Sequence, residues 1–344
     1  MTRILILCFA LQLFSFAHAK TEVVNDGPYL FYKSNSIEQV DIIKNQKVTS
    51  TYQGSYIIPN SFQIDESNRY ENVSKIVAIS DVHGKFDLFK TLLINNKVID
   101  QQLNWSFDDG HLVITGDIFD RGDTVTEALW LIFNLEQQAA KAGGKIHYLL
   151  GNHEYMVLRD DQRYLHPKYL HTVSHFNHDL RAQYSENSVL GRWLRSKPTI
   201  IIINGFMFLH GGIHQDFLDL ALSIEQANDE FRKTIGKSKD ELKKNQIWRT
   251  LHSSNGPIWY RGFFRDETLT QKDINAILNA LNVKRIIVGH TSMPTIESHH
   301  QGKIIAIDSS IKRGETGELL FWQDHKFTRG LLDGNRKNLN ESFK

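Results

Sequence analysis

Cysteine is nearly absent from the 344 residues: the single one, Cys8, sits in the first ten positions. If that segment is removed, no thiol remains, which excludes a thiolate nucleophile, a cysteine zinc site and a disulfide framework. An excess of charge is missing as well. Lys and Arg number 40 against 39 Asp and Glu, for a net +1, so no bulk field draws nucleic acid or an anionic membrane, and any anion site has to be built locally. There is no basic stripe with interleaved aromatics, which argues against nucleic-acid binding. The leading apolar run, residues 4–16, is shorter than the roughly 20 residues that span a bilayer core, so stable membrane insertion is not expected. No internal repeat, low-complexity tract or charge block occurs. With 41% hydrophobic and 23% charged residues, the composition is that of a folded, enzyme-sized protein.

What is present begins with an address. Arg3, the apolar run and Ala17-His18-Ala19 have the form of an export signal cleaved after Ala19. Residues 1–19 are therefore read as a signal peptide, and the exported protein is expected in a bacterial periplasm, an oxidising compartment that a cysteine-free chain tolerates. Residues 20–70 are polar, with short alternating stretches such as 54–58, and are read as an extension packed on the main domain. From residue 75 the texture changes to short apolar runs alternating with helix-period segments: 75–80, 86–99, 111–115, 125–142 closed by Gly143-Gly144, and 146–150. This β-α-β-α-β order predicts parallel strands. Beyond Glu154 a polar, helical stretch runs to Ser196. Strands are then expected at 199–203 and 206–209, with Asn204-Gly205 as a hairpin turn that switches the sheet to antiparallel pairing. Ser223-x-x-Gln226 reads as a capping box and Thr270 as the cap of a helix to Leu281. Strands at 285–288, 303–307 and 319–322 complete a main domain over 71–332, followed by a polar tail, 333–344.

A cluster of metal-type ligands or acid/base groups follows almost every expected strand at once. These are Asp81-Val82-His83-Gly84, then 116–122 (Gly-Asp-Ile-Phe-Asp-Arg-Gly), Gly151-Asn152-His153-Glu154, His210-Gly211-Gly212 and Gly289-His290. The carboxyl ends of strands in an open α/β sheet converge on one crevice, so positions two hundred residues apart can meet. Two Asp, one Asn and three His supply oxygen and nitrogen ligands for two divalent ions if one carboxylate bridges, and Asp117 is the natural bridge. Ions about 3.5–4 Å apart can hold a hydroxide and clamp the oxygens of an in-line displacement at phosphorus.

These blocks resemble the calcineurin-like metallophosphoesterase signature, in particular the phosphoprotein phosphatase branch with its GDxHG, GDxxDRG, GNHE and HGG motifs. Residues 256–262 and the ending Val288-Gly289-His290-Thr291 look most like the Shewanella-like phosphatases, whose members include cold-active protein-tyrosine phosphatases. The resemblance implies an α/β fold with a mixed β-sandwich core flanked by helices and a dinuclear metal site at the strand ends. It implies that Asp81 and His83 bind one ion, that Asp117 bridges, and that Asn152, His210 and His290 complete the other. His153 would be the general acid, Asp120 would orient and charge its imidazole, and Arg121 and Arg261 would hold phosphoryl oxygens as planar guanidinium forks. Two divalent ions, two carboxylates and a hydroxide leave about +1, which the arginines raise to about +3 against a phosphomonoester dianion. Mixed His, Asp and Asn ligation suits Mn, Fe, Zn or Co.

Departures from the pattern bear on substrate. Ser80 replaces the first glycine of the first motif, Leu150 stands where many Ser/Thr enzymes carry Arg, and Asp308-Ser309-Ser310 occupies a late strand end without their Tyr-bearing loop. The expected activity is thus hydrolysis of phosphotyrosine in proteins and of aryl phosphates through a metal-bridging hydroxide. The alternatives are a Ser/Thr phosphatase, a dinucleoside-polyphosphate hydrolase, or a metal-dependent binding module without turnover. Partners follow as a phosphorylated protein or small phosphomonoester. Two further readings complete the analysis. Histidines 166, 171, 175 and 178 are read as surface residues, since no carboxylate pattern gathers them. Glu154 is read as a support for its neighbours rather than a ligand, and the stretch 155–197 as a wall of the substrate groove.

Overall fold

A computed structural model describes residues 23–339. The expected signal peptide lies outside the described residues. Three antiparallel strands come first: β1 (Asp26–Tyr32), β2 (Ile37–Ile43) and β3 (Gln46–Thr51). They lie within the polar 20–70 stretch, whose alternating segment 54–58 is not itself a strand. The turn between β2 and β3 is Lys44-Asn45, both left-handed, a hairpin that carries no glycine to advertise it. β3 is exposed throughout, so no hydrophobic alternation marks it either. The small sheet is tied down through the buried Asp26, whose carboxylate accepts from Thr126 Oγ1 (2.9 Å), Thr172 Oγ1 (2.8 Å) and Tyr29 Oη (2.6 Å). Tyr56 stacks on Trp130 with ring centroids 4.6 Å apart.

Two six-stranded sheets form the centre. Strands β4 (Arg69–Tyr70), β5 (Lys75–Ile79), β6 (His111–Ile114), β7 (Lys145–Tyr148), β8 (Ile201–Ile203), β9 (Phe206–Leu209), β10 (Arg285–Val288), β11 (Glu297–His299), β12 (Ile304–Ala306), β13 (Glu318–Gln323), β14 (Lys326–Leu331) and β15 (Arg336–Asn338) follow in chain order. One sheet runs β15-β14-β13-β5-β6-β7, with β5, β6 and β7 parallel as the sequence predicts. The other runs β11-β12-β10-β9-β8-β4. The Asn204-Gly205 hairpin does pair β8 and β9 antiparallel, but it opens this second sheet rather than reversing the first. Within the polar stretch that begins at residue 333, β15 pairs with β14 as an edge strand.

Alternation along the strands decides which side faces what. Ile76, Ala78, Val113, Ile201, Ile203, Phe206, Phe208, Ile287, Ile305 and Leu320 meet between the sheets in one cluster. Their neighbours Val77, Ile79, Leu112, Ile114, Met207, Leu209, Ile286 and Val288 point outward into a larger cluster under the helices. Both faces of the parallel strands are covered, which is why they read as continuous apolar runs. Helices α1 (Phe86–Asn95) and α2 (Val125–Lys141) link β5, β6 and β7, and the turn that leaves α2 passes through Gly143, which adopts φ +81°. The Ser223 capping box and the Thr270 cap form as read, opening the helices Ile224–Lys233 and Gln271–Leu281, and Thr270 proves to share a second capping box with Asp273. Among the described residues no helix is long and apolar enough to cross a membrane.

At the end of the first sheet remote from the ligand clusters, His147 Nε2 and His111 Nδ1 lie 3.0 Å apart across the β6–β7 pair. An N–H···N bond requires at least one neutral ring, and burial, with Lys145 beside it, pushes His111 down to about 4. A histidine whose folded pKa is depressed contributes stability that is complete above its ordinary 6.5 and lost as pH falls toward the folded value. The wild-type advantage over His111→Asn, measured as urea midpoints in chelator, should therefore be largest above pH 6.5 and shrink toward pH 4. A constant difference across that window would contradict the neutral pair.

Candidate metal centre

The loops after β5, β6, β7, β9 and β10 meet in one place. The first two are joined by backbone bonds, His83 N–H to Asp117 O (2.9 Å) and Gly84 N–H to Ile118 O (2.9 Å). The third is locked to the second by Glu154. Its Oε2 accepts from the backbone N–H groups of Asp117 (2.8 Å) and Gly151 (2.7 Å), and its Oε1 from Ile118 N–H (2.8 Å) and the Tyr148 hydroxyl (2.9 Å). Glu154 is fully buried and is a support, as read, rather than part of the ligand cluster. Two glycines are required here by close approach: a Cβ on Gly116 would meet Gly151 N at 2.4 Å, and one on Gly151 would meet Asp117 Oδ1 at 2.4 Å.

Six of the functional positions have left-handed backbone, namely Asp81 (φ 54°), His83 (47°), Asp117 (58°), Asp120 (70°), Arg121 (68°) and His290 (64°). Each costs about 1 kcal/mol or more, least for the aspartates, and persists because the surrounding bonds over-determine the loop.

Each of the three imidazoles read as ligands is tied by one nitrogen to a backbone carbonyl. His83 Nδ1 lies 2.7 Å from Phe119 O, His210 Nδ1 2.9 Å from Thr115 O, and His290 Nε2 3.1 Å from Trp259 O. The tied nitrogen carries the proton, so the other nitrogen of each ring turns a lone pair inward. There His210 Nε2 sits 2.9 Å from Asn152 Oδ1, 3.1 Å from Asp117 Oδ2 and 3.1 Å from His290 Nδ1. The Asn152 amide nitrogen faces Met156 Sδ at 3.9 Å, which directs its oxygen to the cluster. On the other side, His83 Nε2 is 3.6 Å from Asp117 Oδ2 and 3.7 Å from Asp81 Oδ1. Asp117 belongs to both halves. Ser80, at the position that departs from glycine, donates its Oγ–H to Asp81 Oδ2 at 2.6 Å while accepting from Thr115 Oγ1 at 2.7 Å, and Asp81 Oδ2 also accepts from His290 N–H at 2.9 Å.

The donor set fits a divalent cation. Burial opposes a proton on His210, but Asp117 outweighs it and lifts the imidazole to about 9. That single proton cannot satisfy three acceptors 2.9–3.1 Å away, whereas a cation satisfies all of them. With protein groups alone, burial and the Asp308 and Asp117 charges push Asp81 up to about 8, the response of carboxylates packed without enough positive charge.

Around the cluster stand the residues read as catalytic. His153 Nδ1 meets Asp120 Oδ2 at 2.5 Å, leaving Nε2 facing Asp117 Oδ2 at 3.8 Å and Arg121 Nη2 at 3.5 Å. Burial alone would lower this imidazole's pKa, but the Asp117 and Asp120 carboxylates outweigh it and raise it. Arg261 reaches His290 Nδ1 at 3.4 Å, and its Nε has no partner. All ten sequence-derived positions thus meet at one centre. His153, however, also forms a possible ligand triad with His83 and Asp117 by distance alone. Tyr164 is the residue that sequence reasoning missed. It lies within the expected groove wall, its ring is 5.3 Å from His153 and 5.2 Å from the Arg121 guanidinium, and 42% of it is exposed. Nothing in its local sequence distinguished it from other tyrosines. His171 and His175 pair with each other (3.4 Å) and join no metal-type cluster among the described residues.

A family model described as calcineurin-like phosphoesterase matches residues 74–294, a span that contains every one of these side chains. The chain belongs to the calcineurin-like phosphoesterase family. Within it, the chain is 29% identical over 256 residues to Shewanella-like protein phosphatase 1 of Plasmodium berghei, covering 71% of this chain and 70% of that one. It is 25% identical to Shewanella-like protein phosphatase 2 of Arabidopsis thaliana, covering 72% and 73%. Among solved structures, the cold-active protein-tyrosine phosphatase of a psychrophilic Shewanella species superposes with a TM-score of 0.87 at 40% identity, over 92% of this chain and 99% of that one. That likeness reaches beyond the family span.

Proposed function

We propose that this phosphoesterase is a metal-dependent phosphomonoesterase that hydrolyses phosphotyrosine in proteins and aryl phosphates. The observation that carries the reading is the His153–Asp120 pair facing the six-residue ligand cluster, with guanidinium groups of Arg121 and Arg261 on its borders. Asp81, His83, Asp117, Asn152, His210 and His290 would hold two divalent ions, drawn from Mn, Fe, Zn and Co. When bound, such ions supply positive charge at the phosphoryl oxygens and activate the attacking water. The chain's own groups do the rest. Arg121 and Arg261 orient a dianionic phosphoryl group, water adds to phosphorus as the ester P–O bond breaks, and His153 passes its proton to the departing oxygen. Asp120 keeps the Nε2 of His153 turned toward the reaction. Tyr164 gives the entrance an aromatic wall suited to a phenyl ring.

The phosphotyrosyl assignment is supported by the likeness to the Shewanella tyrosine phosphatase and by the absence of the Arg at position 150 that many Ser/Thr enzymes carry. Residues 1–19 are proposed to direct export to the periplasm, with the mature chain starting at Lys20, which N-terminal sequencing of the exported protein checks. For function, the chelated protein should be inert toward p-nitrophenyl phosphate and regain turnover with Mn, while Asp117→Asn stays at background. Phosphotyrosine peptide should be preferred over phosphoserine peptide and diadenosine tetraphosphate. A preference for either of the latter would move the assignment to the Ser/Thr or dinucleoside-polyphosphate class.

A further inference from the structure

Beside the metal centre is a cavity of about 350 Å³, and its lining is cationic. Arg159, Arg163, Lys239, Lys243 and Arg249 border it, together with apolar walls that include Leu242 and Trp259, and no carboxylate lines it. Two acidic groups lie close by. Asp161 is shared among Arg163 (2.7 Å), Lys239 (3.3 Å) and Arg159 (3.9 Å), and Asp240 pairs with Lys243 at 3.1 Å. Five cations against two carboxylates leave a local excess of positive charge in a chain whose net charge is only +1. Arg249 has no ion-pair partner among the described residues. The Arg159 side chain is 9% exposed, lines the cavity, and keeps a buried Nε–H with no acceptor. A buried guanidinium donor left open in this way asks for an external acceptor.

The cavity adjoins the centre on two sides. Trp259 is shared by both: it lines the cavity, and its carbonyl holds His290 at 3.1 Å. Arg163 lies 5.5 Å from the ring of Tyr164, which in turn is 5.3 Å from His153. Arg163 and His153 are therefore no more than about 11 Å apart, within the span of about three extended residues. We propose that this cavity binds acidic side chains of the substrate protein, Asp or Glu about three residues from the phosphorylated one. The proposal rests on the phosphoprotein reading above and adds to it a charge selectivity. Arg159 and Arg249 would receive the carboxylates, with Lys239 and Lys243 adding longer-range attraction at the rim.

The test uses the Mn-loaded full chain and three substrates: p-nitrophenyl phosphate, a phosphotyrosine peptide flanked by Asp and Glu, and the same peptide with Asn and Gln. At low salt the acidic peptide should show a kcat/KM about tenfold above the neutral one, a ratio that falls as ionic strength shortens the screening length. In the double variant Lys243→Glu, Arg249→Glu, both exposed positions, the ratio should drop to about one or below while p-nitrophenyl phosphate turnover is unchanged. Equal rates on both peptides in the wild type overturn the inference and leave the phosphotyrosyl reading standing. A preference that survives charge reversal also overturns it. Tripolyphosphate inhibition relieved by the double variant, without a change in peptide ratio, would replace it with a phosphate site. Turnover of p-nitrophenyl phosphate alone, with neither peptide cleaved, would remove the phosphotyrosyl reading itself and this inference with it.

Discussion

Replacing His153 with Ala should cost turnover without costing metal. Its Nδ1 is engaged by Asp120 at 2.5 Å and its Nε2 stands 3.8 Å from the Asp117 carboxylate, a place from which it can give a proton to a leaving oxygen beside the cluster. General acid catalysis is worth about 10²–10⁴-fold, so kcat on phenyl phosphate or phosphotyrosine peptide should fall by that order. p-Nitrophenolate departs readily as the anion and needs little help, so the loss on p-nitrophenyl phosphate should be markedly smaller. Asp120→Asn should follow the same leaving-group pattern more weakly, because it removes the charge behind the imidazole and keeps the ring. Metal content by elemental analysis decides the competing geometry, in which His153 groups with His83 and Asp117 as a ligand triad. A protein that loses an ion with His153 would assign the residue to the metal, whereas unchanged binding with unchanged turnover on every ester would remove His153 as the general acid.

The second large effect is expected at a residue that touches neither metal nor substrate. Glu154 satisfies three buried backbone N–H groups and a tyrosine hydroxyl, and those N–H groups belong to the two loops that carry Asp117 and Asn152. In Glu154→Gln the amide nitrogen can replace only one oxygen. If it takes the Oε1 side, Tyr148 can turn its hydroxyl to accept, and Ile118 N–H is left facing another donor. An unsatisfied buried donor costs about 1–3 kcal/mol, so global stability should drop by that amount in chelator-treated protein. Ligand orientation should suffer as well, with metal affinity falling about 10–100-fold. Thermal unfolding and calorimetric Mn titration measure the two separately. Wild-type values in both would falsify the view that Glu154 sets the distance between the loops. Glu154→Ala, which orphans all three N–H groups, should be worse on each count.

How far the sequence leads depends on whether a feature is local. The parallel strands β5, β6 and β7 are apolar on both faces, and each is followed at once by its polar cluster, so the ligand positions could be located from texture and order. The Asn204-Gly205 turn identified one antiparallel pair for the same local reason. Which sheet that pair would join depends on contacts such as β9 with β10, nearly eighty residues away, and no local signal carries it. Hairpins without glycine were missed: Lys44-Asn45 between β2 and β3, and Asp324-His325 between β13 and β14, all four at positive φ. Their residue types tolerate the left-handed region unevenly and do not announce it. Tyr164 was beyond reach because its role comes from the ring it lies against, which is set by tertiary packing.

The tying of His83, His210 and His290 to the carbonyls of Phe119, Thr115 and Trp259 has an implication for how the centre withstands mutation. A carbonyl oxygen belongs to every residue type, so no single substitution at 115, 119 or 259 can delete the acceptor itself. An alanine scan of this region would register the imidazoles and pass over the groups that aim them. The same arrangement lets those three positions drift in side chain over generations while the inward nitrogens keep their direction, provided the backbone path is kept. Orientation is stored in the course of the main chain, where genetic change reaches it through insertions, deletions, a proline, or a substitution such as one at Gly116, Gly151 or Glu154 that shifts the loops themselves.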